Sequence, residues 1–169
     1  YGLFGMAVLA PFIRDLFDLT TGLNLLSTSI ILGMMVLPII SSMTEDALST
    51  VPRQLREASL ALGATHWETI TKVVLPAAKS GIVASILQGF GRAIGETMVV
   101  LMVAGGAAQI PGSIFESLRP LTSTIAAEMG ETVVGDLHYS SLFAIAIVLF
   151  LITFITNLLA ELFLKRKSK

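Results

Sequence analysis

The sequence predicts an all-α protein, a polytopic bundle of transmembrane helices. Hydrophobic residues make up 54% of the 169 residues, charged residues make up only 14%, and the mean hydropathy is +0.83. Soluble domains usually carry about 25% charged residues, so this chain lacks the groups that keep a soluble surface hydrated. The formal net charge of -1 offers no field for binding nucleic acid, and the absence of cysteine excludes disulfides and thiolate metal sites.

Long apolar windows locate the predicted membrane spans. Residues 19–44 and 137–160 contain no charged residue, and a helix that crosses a bilayer needs about 20 mostly apolar residues. A third window has the required length but carries two charges, Arg92 and Glu96. The predicted full spans are residues 24–43, 80–104 and 139–163.

The first residues predict a partial span. Residues 1–13 are apolar but too short to cross a bilayer, and residues 14–23 form a short predicted loop. The stretch has neither the basic leader nor the cleavage site of a signal peptide. We therefore expect an N-terminally truncated fragment with about three full spans and one partial span.

The distribution of Lys and Arg predicts which side of the membrane each polar segment faces. Cytoplasmic loops are enriched in these residues. Segment 44–79 contains four of them and the tail 164–169 contains another four, whereas segment 105–138 contains only Arg119 beside four acidic residues. We expect a multi-pass protein of the cytoplasmic membrane, with 44–79 and the tail cytoplasmic and 105–138 extracytoplasmic.

Segment 44–79 predicts two short helices joined at Gly63, which stands where a left-handed C-cap is favoured. Thr65 and Glu68 have the spacing of a capping box for the second helix, and Pro76 is expected to end that helix. Two short amphipathic helices between two spans are suited to docking against another protein. The alternative is that they lie on the lipid headgroups.

The same segment resembles a known family. Its order of Glu-Ala-Ser, three residues, Gly, nine residues and Val-Val-Leu-Pro is similar to the E-A-A, G and I-x-L-P pattern of the membrane subunits of ATP-binding-cassette importers, the MetI-like permeases. Ser59 and Val73 are mild departures from that pattern. In the family this segment is the coupling helix, which sits in a groove of the cytoplasmic ATPase. The resemblance therefore implies an ATPase-coupling role for Glu57, Ala58, Ser59, Gly63, Leu75 and Pro76.

Further runs resemble permeases for inorganic phosphate, over nearly the whole chain. These runs are LPIISSMTEDAL, VPRQLREASLALGATHWETI, VVLPAAKSGIVASI and GRAIGETM. Met98 after Gly95-Glu96-Thr97, and His138-Tyr139 before the last span, resemble the PstC type of permease rather than its PstA partner.

This resemblance implies phosphate import by alternating access and no enzymatic activity in this chain. The sequence contains no G-x-x-x-x-G-K-[ST] phosphate loop, so ATP and Mg²⁺ are expected on a partner ATPase dimer and no cofactor is expected here. The other implied partners are a second permease of the PstA type, an extracytoplasmic phosphate-binding protein and the lipid bilayer.

The charged window provides candidates for the translocation path. At helical spacing Gln88, Arg92 and Glu96 share one face, and a planar guanidinium offers bidentate donors to phosphate. The alternative is that Arg92 and Glu96 only neutralise each other or lock a neighbouring subunit. Beside them runs a ladder of small residues that lets helices approach closely: Gly81, Ser85, Gly89, Ala93 and Thr97.

Two other functions stay open. A permease with the same fold could carry another oxyanion or a small solute, and a membrane channel or scaffold would need no ATP coupling. His66 and His138 fall in opposite polar segments, so we expect no shared metal site.

Overall fold

The computed structural model describes residues 1–165, and this part of the chain is mainly helical. Its only extended pairing within these residues is an isolated parallel bridge between Gly105 and Leu118. The predicted all-α class is therefore confirmed. The helices are α1 (residues 2–16), α2 (Leu25–Ser49), α3 (Arg53–Ala61), α4 (His66–Ile94), α5 (Met98–Val103), α6 (Leu121–Glu128) and α7 (Leu137–Lys165).

Three of these helices, α2, α4 and α7, are long and apolar enough to cross a membrane. The predicted spans 24–43 and 139–163 correspond to α2 and α7, which extend further than predicted. Few apolar side chains on the three helices are fully buried within the described part of the chain, as expected for surfaces that lipid or another subunit covers. The assignment of segments to the two sides of the membrane stays a prediction, and residues 166–169 of the predicted tail lie outside the described residues.

The third predicted span, 80–104, has different helix bounds. Helix α4 already begins at His66, passes through Pro76 and ends at Ile94. A non-helical break follows, and α5 then starts at Met98. The prediction that Pro76 ends a helix was therefore wrong, and so was the prediction of one continuous helix from residue 80 to residue 104.

A widened turn explains why α4 continues through its proline. In a regular α-helix the proline ring clashes with the carbonyl group four residues earlier. Residues Ile70–Val74 form a π-helical turn, in which the N–H of Leu75 donates to the carbonyl of Ile70, and this wider turn accommodates Pro76. A second π-helical turn, Gly5–Leu9, precedes Pro11 in α1 in the same way.

The chain forms two compact units. The first comprises Tyr1–Val36 and Arg92–Phe154, and the second comprises Leu37–Gly91 and the described residues from Ile155 onward.

In the first unit, α1 packs closely against α5 at small residues. A Cβ on Gly5 would lie 2.9 Å from Cγ2 of Val103, so only glycine permits this approach. The N-terminus of α2 is capped by the segment that follows α5, because the N–H of Leu25 donates to the carbonyl of Glu116 at 3.0 Å. The unpaired donors of a helix N-terminus are thus satisfied within the unit.

In the second unit, α2 and α4 meet through a small apolar cluster. Val51, Val74 and Ala78 are buried together, with Leu48 and Ile82 packed against them. The same two helices also approach closely at Gly81 of α4, where an added Cβ would lie 2.6 Å from Cβ of Ala47 in α2. The close approach predicted for the ladder of small residues is confirmed at this glycine.

Candidate functional site

The predicted turn at Gly63 has the geometry of a complete helix C-cap. Helix α3 ends at Ala61 with Leu62 as its C-cap, and Gly63 adopts φ +86°. The N–H of Gly63 donates to the carbonyl of Leu60 at 2.9 Å, and the N–H of Ala64 donates to the carbonyl of Ser59 at 3.2 Å. These are the two bonds of a Schellman motif, so the left-handed cap predicted from the sequence is confirmed.

The second half of the turn is fixed by the predicted capping box. The Thr65 hydroxyl accepts from the N–H of Glu68 at 3.2 Å, and the N–H of Thr65 donates to the Glu68 carboxylate at 3.0 Å. Two of the unpaired donors at the start of α4 are therefore satisfied reciprocally. Residues 62–65, which we call the docking turn, are held by caps on both sides.

Glu68 also carries the clearest electrostatic signature of this region. It lies in the polar first turn of α4, within the segment 44–79 that we assign outside the membrane. The N–H of Thr65, the Lys72 ammonium at 3.0 Å and the Thr65 hydroxyl donate to its carboxylate and lower its pKa from 4.5 to about 2. The carboxylate is therefore charged at any physiological pH and complements the positive end of the helix dipole.

Apolar side chains around the docking turn are left uncovered by the described part of the chain. Leu62 is 89% exposed and Trp67 is 73% exposed, although both are large and hydrophobic. Helix α3 buries none of its residues. Glu57 is exposed, and within residues 1–165 it forms no ion pair. Of the coupling residues predicted by resemblance, Glu57, Ala58, Leu75 and Pro76 are all exposed, and Ser59 is half-buried.

The helical part of the charged window has the predicted division into two faces. Ser85 and Gly89 are buried, whereas Gln88 and Arg92 are exposed. A charged side chain at membrane depth normally faces protein or water rather than lipid. The guanidinium of Arg92 is exposed in the described part of the chain, so we expect another protein surface or water to cover it.

Glu96 does not continue this polar face, contrary to the prediction. Helix α4 ends at Ile94, so the i, i+4 relation between Arg92 and Glu96 is lost, and Thr97 also leaves the ladder of small residues. The carbonyl of Glu96 instead accepts from the Thr122 hydroxyl at 2.8 Å. No ion pair between Arg92 and Glu96 forms in the described part of the chain, and Arg92 lies in the last turn of its helix rather than at the centre of a span.

The structure brings together one charged cluster that sequence reasoning missed. Glu128, at the end of α6, forms an ion pair with Arg119, and its carboxylate lies 3.0 Å from Nε2 of His138. Arg119 also donates from Nε to the carbonyl of Gly106 at 2.8 Å. The three residues lie nine and ten positions apart on different elements, so no helical or strand periodicity signals the cluster.

The described residues contain no group of three His, Asp or Glu side chains arranged to hold a metal ion. Three long apolar helices, two of them connected through an exposed, capped turn, are typical of a multi-pass membrane protein. The chain belongs to the family described as binding-protein-dependent transport system inner membrane component, which it matches over residues 3–169.

The chain is also similar to individual permease proteins of bacteria. The chain is 39% identical over 99% of its length to a probable ABC transporter permease protein, YqgH, of Bacillus subtilis. It is 39% identical over 98% of its length to the phosphate transport system permease protein PstC of Mesorhizobium japonicum, and 34% identical over its whole length to PstC of Xylella fastidiosa. It covers 54%, 56% and 57% of these relatives, so it spans about half their length. No solved structure matches the chain.

Proposed function

We propose that this chain is part of a permease subunit that imports inorganic phosphate across the cytoplasmic membrane, driven by ATP hydrolysis in a separate subunit. The observation that carries this proposal is the docking turn. It is capped on both sides, yet it exposes Leu62, and Trp67 is exposed just after it at the start of α4. Exposed apolar side chains at a fixed turn mark an interaction site.

The partner at the docking turn is an ATP-binding-cassette ATPase dimer, which binds ATP and Mg²⁺. The backbone N–H groups of the turn are all bonded within the chain, so a groove on the ATPase receives the turn without reordering it. Glu57 on α3 lacks an ion-pair partner within residues 1–165 and is available to a basic group there. An extracytoplasmic binding protein delivers phosphate, and a second permease of the PstA type completes the pathway.

This role requires segment 44–79 to lie in the cytoplasm. Its four Lys and Arg residues, compared with one in segment 105–138, support that orientation. An even number of crossings separates this segment from the C-terminus, because α4 and α7 lie between them. The C-terminus is therefore cytoplasmic as well.

Phosphate is proposed as the substrate on two grounds. Two of the relatives are named as phosphate transport system permease proteins. Independently, Arg92 places an exposed guanidinium in the last turn of α4, and this group binds phosphate oxygens through charge-assisted, bidentate bonds. Gln88 lies one helical turn earlier and supplies neutral hydrogen bonds. Glu96 lies beyond the helix end, and its contribution to the path is the weakest of the three.

In the proposed cycle, closure of the ATPase dimer displaces α3 and the docking turn. Helix α4 follows directly after that turn and carries Gln88 and Arg92 near its other end. A displacement at the cytoplasmic end is thereby passed along one continuous helix. The polar face then alternates between the two sides of the membrane, which is alternating access.

Uptake of labelled phosphate into vesicles that contain the complete importer tests the proposal. Arg92→Gln should abolish uptake while the ATPase still co-purifies, because glutamine keeps hydrogen-bonding capacity but removes the charge that attracts an anion. Lys79→Gln, which removes an exposed cation from the same helix, is the matched control and should leave uptake largely intact. Normal uptake by Arg92→Gln would refute the anion path.

A double variant separates the translocation role from simple charge neutralisation. Because Arg92 and Glu96 are not paired in the described residues, Arg92→Gln combined with Glu96→Gln should stay inactive. Restored uptake would mean that the two charges only balance each other. Competition by molybdate or sulfate at the phosphate concentration used would favour a permease for another oxyanion, and uptake without ATP or ATPase would favour a channel.

A further inference from the structure

Helix α3 buries none of its residues, so contacts other than a buried apolar face must fix its position. Apolar packing therefore does not hold it against its neighbours. The chain just before it is anchored, since Val51 is 6% exposed and packs with Val74 and Ala78. In addition to this packing of Val51 just before α3, two side-chain hydrogen bonds within residues 1–165 connect α3 to other helices.

The first bond connects α3 to the end of α2. Arg56 donates from Nη2 to the carbonyl of Leu48 at 2.8 Å. Leu48 lies in the last turn of α2, where carbonyl groups have no partner within the helix and a positive charge is favourable. Nε of Arg56 is buried and has no partner in the described residues, so this part of the guanidinium is out of contact with solvent and the bond from Nη2 positions the group.

The second bond connects α3 to the start of α4. The hydroxyl groups of Ser59 and Thr69 lie 3.0 Å apart, and Thr69 is 4% exposed. Ser59 occupies a position where the family pattern has alanine. An alanine could not make this bond, so the departure from the pattern supplies a specific contact between the two helices.

We propose that Arg56 and Ser59 are positioning residues that couple the docked helix α3 to two membrane helices, α2 through Leu48 and α4 through Thr69. This inference rests on the proposed function. Without these bonds α3 would be held only at Val51 and through the docking turn, and it could rotate about these two points when the ATPase moves it. The two bonds convert more of that movement into displacement of α2 and α4, so their loss lowers the amount of transport per ATP hydrolysed.

The test uses the complete importer in vesicles and measures phosphate transported per ATP hydrolysed. A hydrogen bond from a charged donor shifts a two-state equilibrium by about ten-fold or more, and one between neutral groups by roughly three-fold. Arg56→Met should therefore lower the ratio about ten-fold and Ser59→Ala about three-fold. The ATPase should co-purify normally with both variants.

Conservative variants and a control distinguish coupling from general damage. Arg56→Lys keeps a charged donor and Ser59→Thr keeps a hydroxyl, so both should recover most of the ratio. Thr69→Val should match Ser59→Ala, and the double variant should be no worse than either single variant, because all three lack the same bond. Arg53→Met, which changes an exposed cation on the same helix that forms no hydrogen bond or ion pair within residues 1–165, should keep the wild-type ratio.

Three outcomes would overturn the inference. An unchanged ratio in Arg56→Met and Ser59→Ala would show that the bonds do not couple movement. Loss of ATPase binding, with uptake and hydrolysis falling together and no recovery in Arg56→Lys, would show that they only maintain the fold. Absence of ATP-driven phosphate uptake in the unmodified importer would overturn the proposed function and this inference with it, whereas normal uptake with unchanged ratios would overturn this inference alone.

Discussion

A substitution at Gly63 tests the contribution of the left-handed backbone conformation of the docking turn separately from that of side-chain packing. Gly63 has φ +86°, and apart from its two neighbours in the chain no atom of the described residues lies within 4 Å of the position that a Cβ would occupy. A side chain at this position therefore meets no steric obstacle outside its own backbone. The effect of a substitution comes from the left-handed conformation alone, which makes its magnitude predictable.

A residue with a Cβ destabilises the left-handed conformation by about 1–2 kcal/mol, and a β-branched residue is at the upper end of that range. If the ATPase binds only the formed turn, this energy appears as weaker binding. Gly63→Val should then lower the affinity for the ATPase by about 5- to 30-fold. Gly63→Asn should cost much less, because asparagine visits this conformation more readily.

The assay is equilibrium binding of the purified ATPase to the permease complex in lipid nanodiscs, with phosphate uptake measured in parallel. Gly130→Val is the matched control. Gly130 is also exposed with no atom within 4 Å of an added Cβ, but its φ is not positive. Wild-type affinity in Gly63→Val, or an equal loss in Gly130→Val, would refute the reasoning that the capped turn is what the ATPase binds.

Three further predictions concern orientation, packing and capping. Because the sequence contains no cysteine, Ala61→Cys should resist an impermeant thiol reagent in intact cells while Ser113→Cys reacts, and labelling of Ala61→Cys from outside would contradict the proposed orientation. Gly81→Ala should destabilise the protein by about 1–3 kcal/mol in thermal unfolding through overpacking against Ala47; Ala47→Gly should restore the stability, and failure to do so would argue against this contact. Thr65→Ala should remove about 1 kcal/mol of capping energy, seen as roughly five-fold faster amide exchange in the first turn of α4, and unchanged exchange would mean that the cap is dispensable.

Local patterns were predicted well because their causes are local. The Schellman motif at Gly63 depends on bonds that span five residues or fewer, and the capping box joins Thr65 to Glu68. Such bonds form whenever the backbone folds as the nearby residues prefer. The apolar windows likewise predicted the long helices α2 and α7, because length and hydropathy alone decide whether a helix suits a bilayer.

The break between α4 and α5 shows where such reasoning stops. Apolar residues resume at Met98 after Glu96 and Thr97, so the overall hydropathy of the window favours a single span rather than a helix end. The break is accompanied by a distant contact, the hydroxyl of Thr122 donating to the carbonyl of Glu96. That bond satisfies a backbone acceptor released by the interrupted helix, and its donor lies 26 residues further along the chain.

The sequence by itself thus determined the class of protein, its long apolar helices and the capped docking turn, since each depends on neighbouring residues and on the solvent they require. Only the tertiary structure decided that α4 passes through Pro76 and that Glu96 lies beyond the end of the helix that carries Arg92. It also decided that Arg56 and Ser59 form hydrogen bonds that connect α3 to α2 and α4. Pro76 is accommodated by a π-helical turn within α4, which the presence of a proline does not by itself predict. The partners of Glu96, Arg56 and Ser59 come from other elements, and periodicity along one helix does not encode that choice.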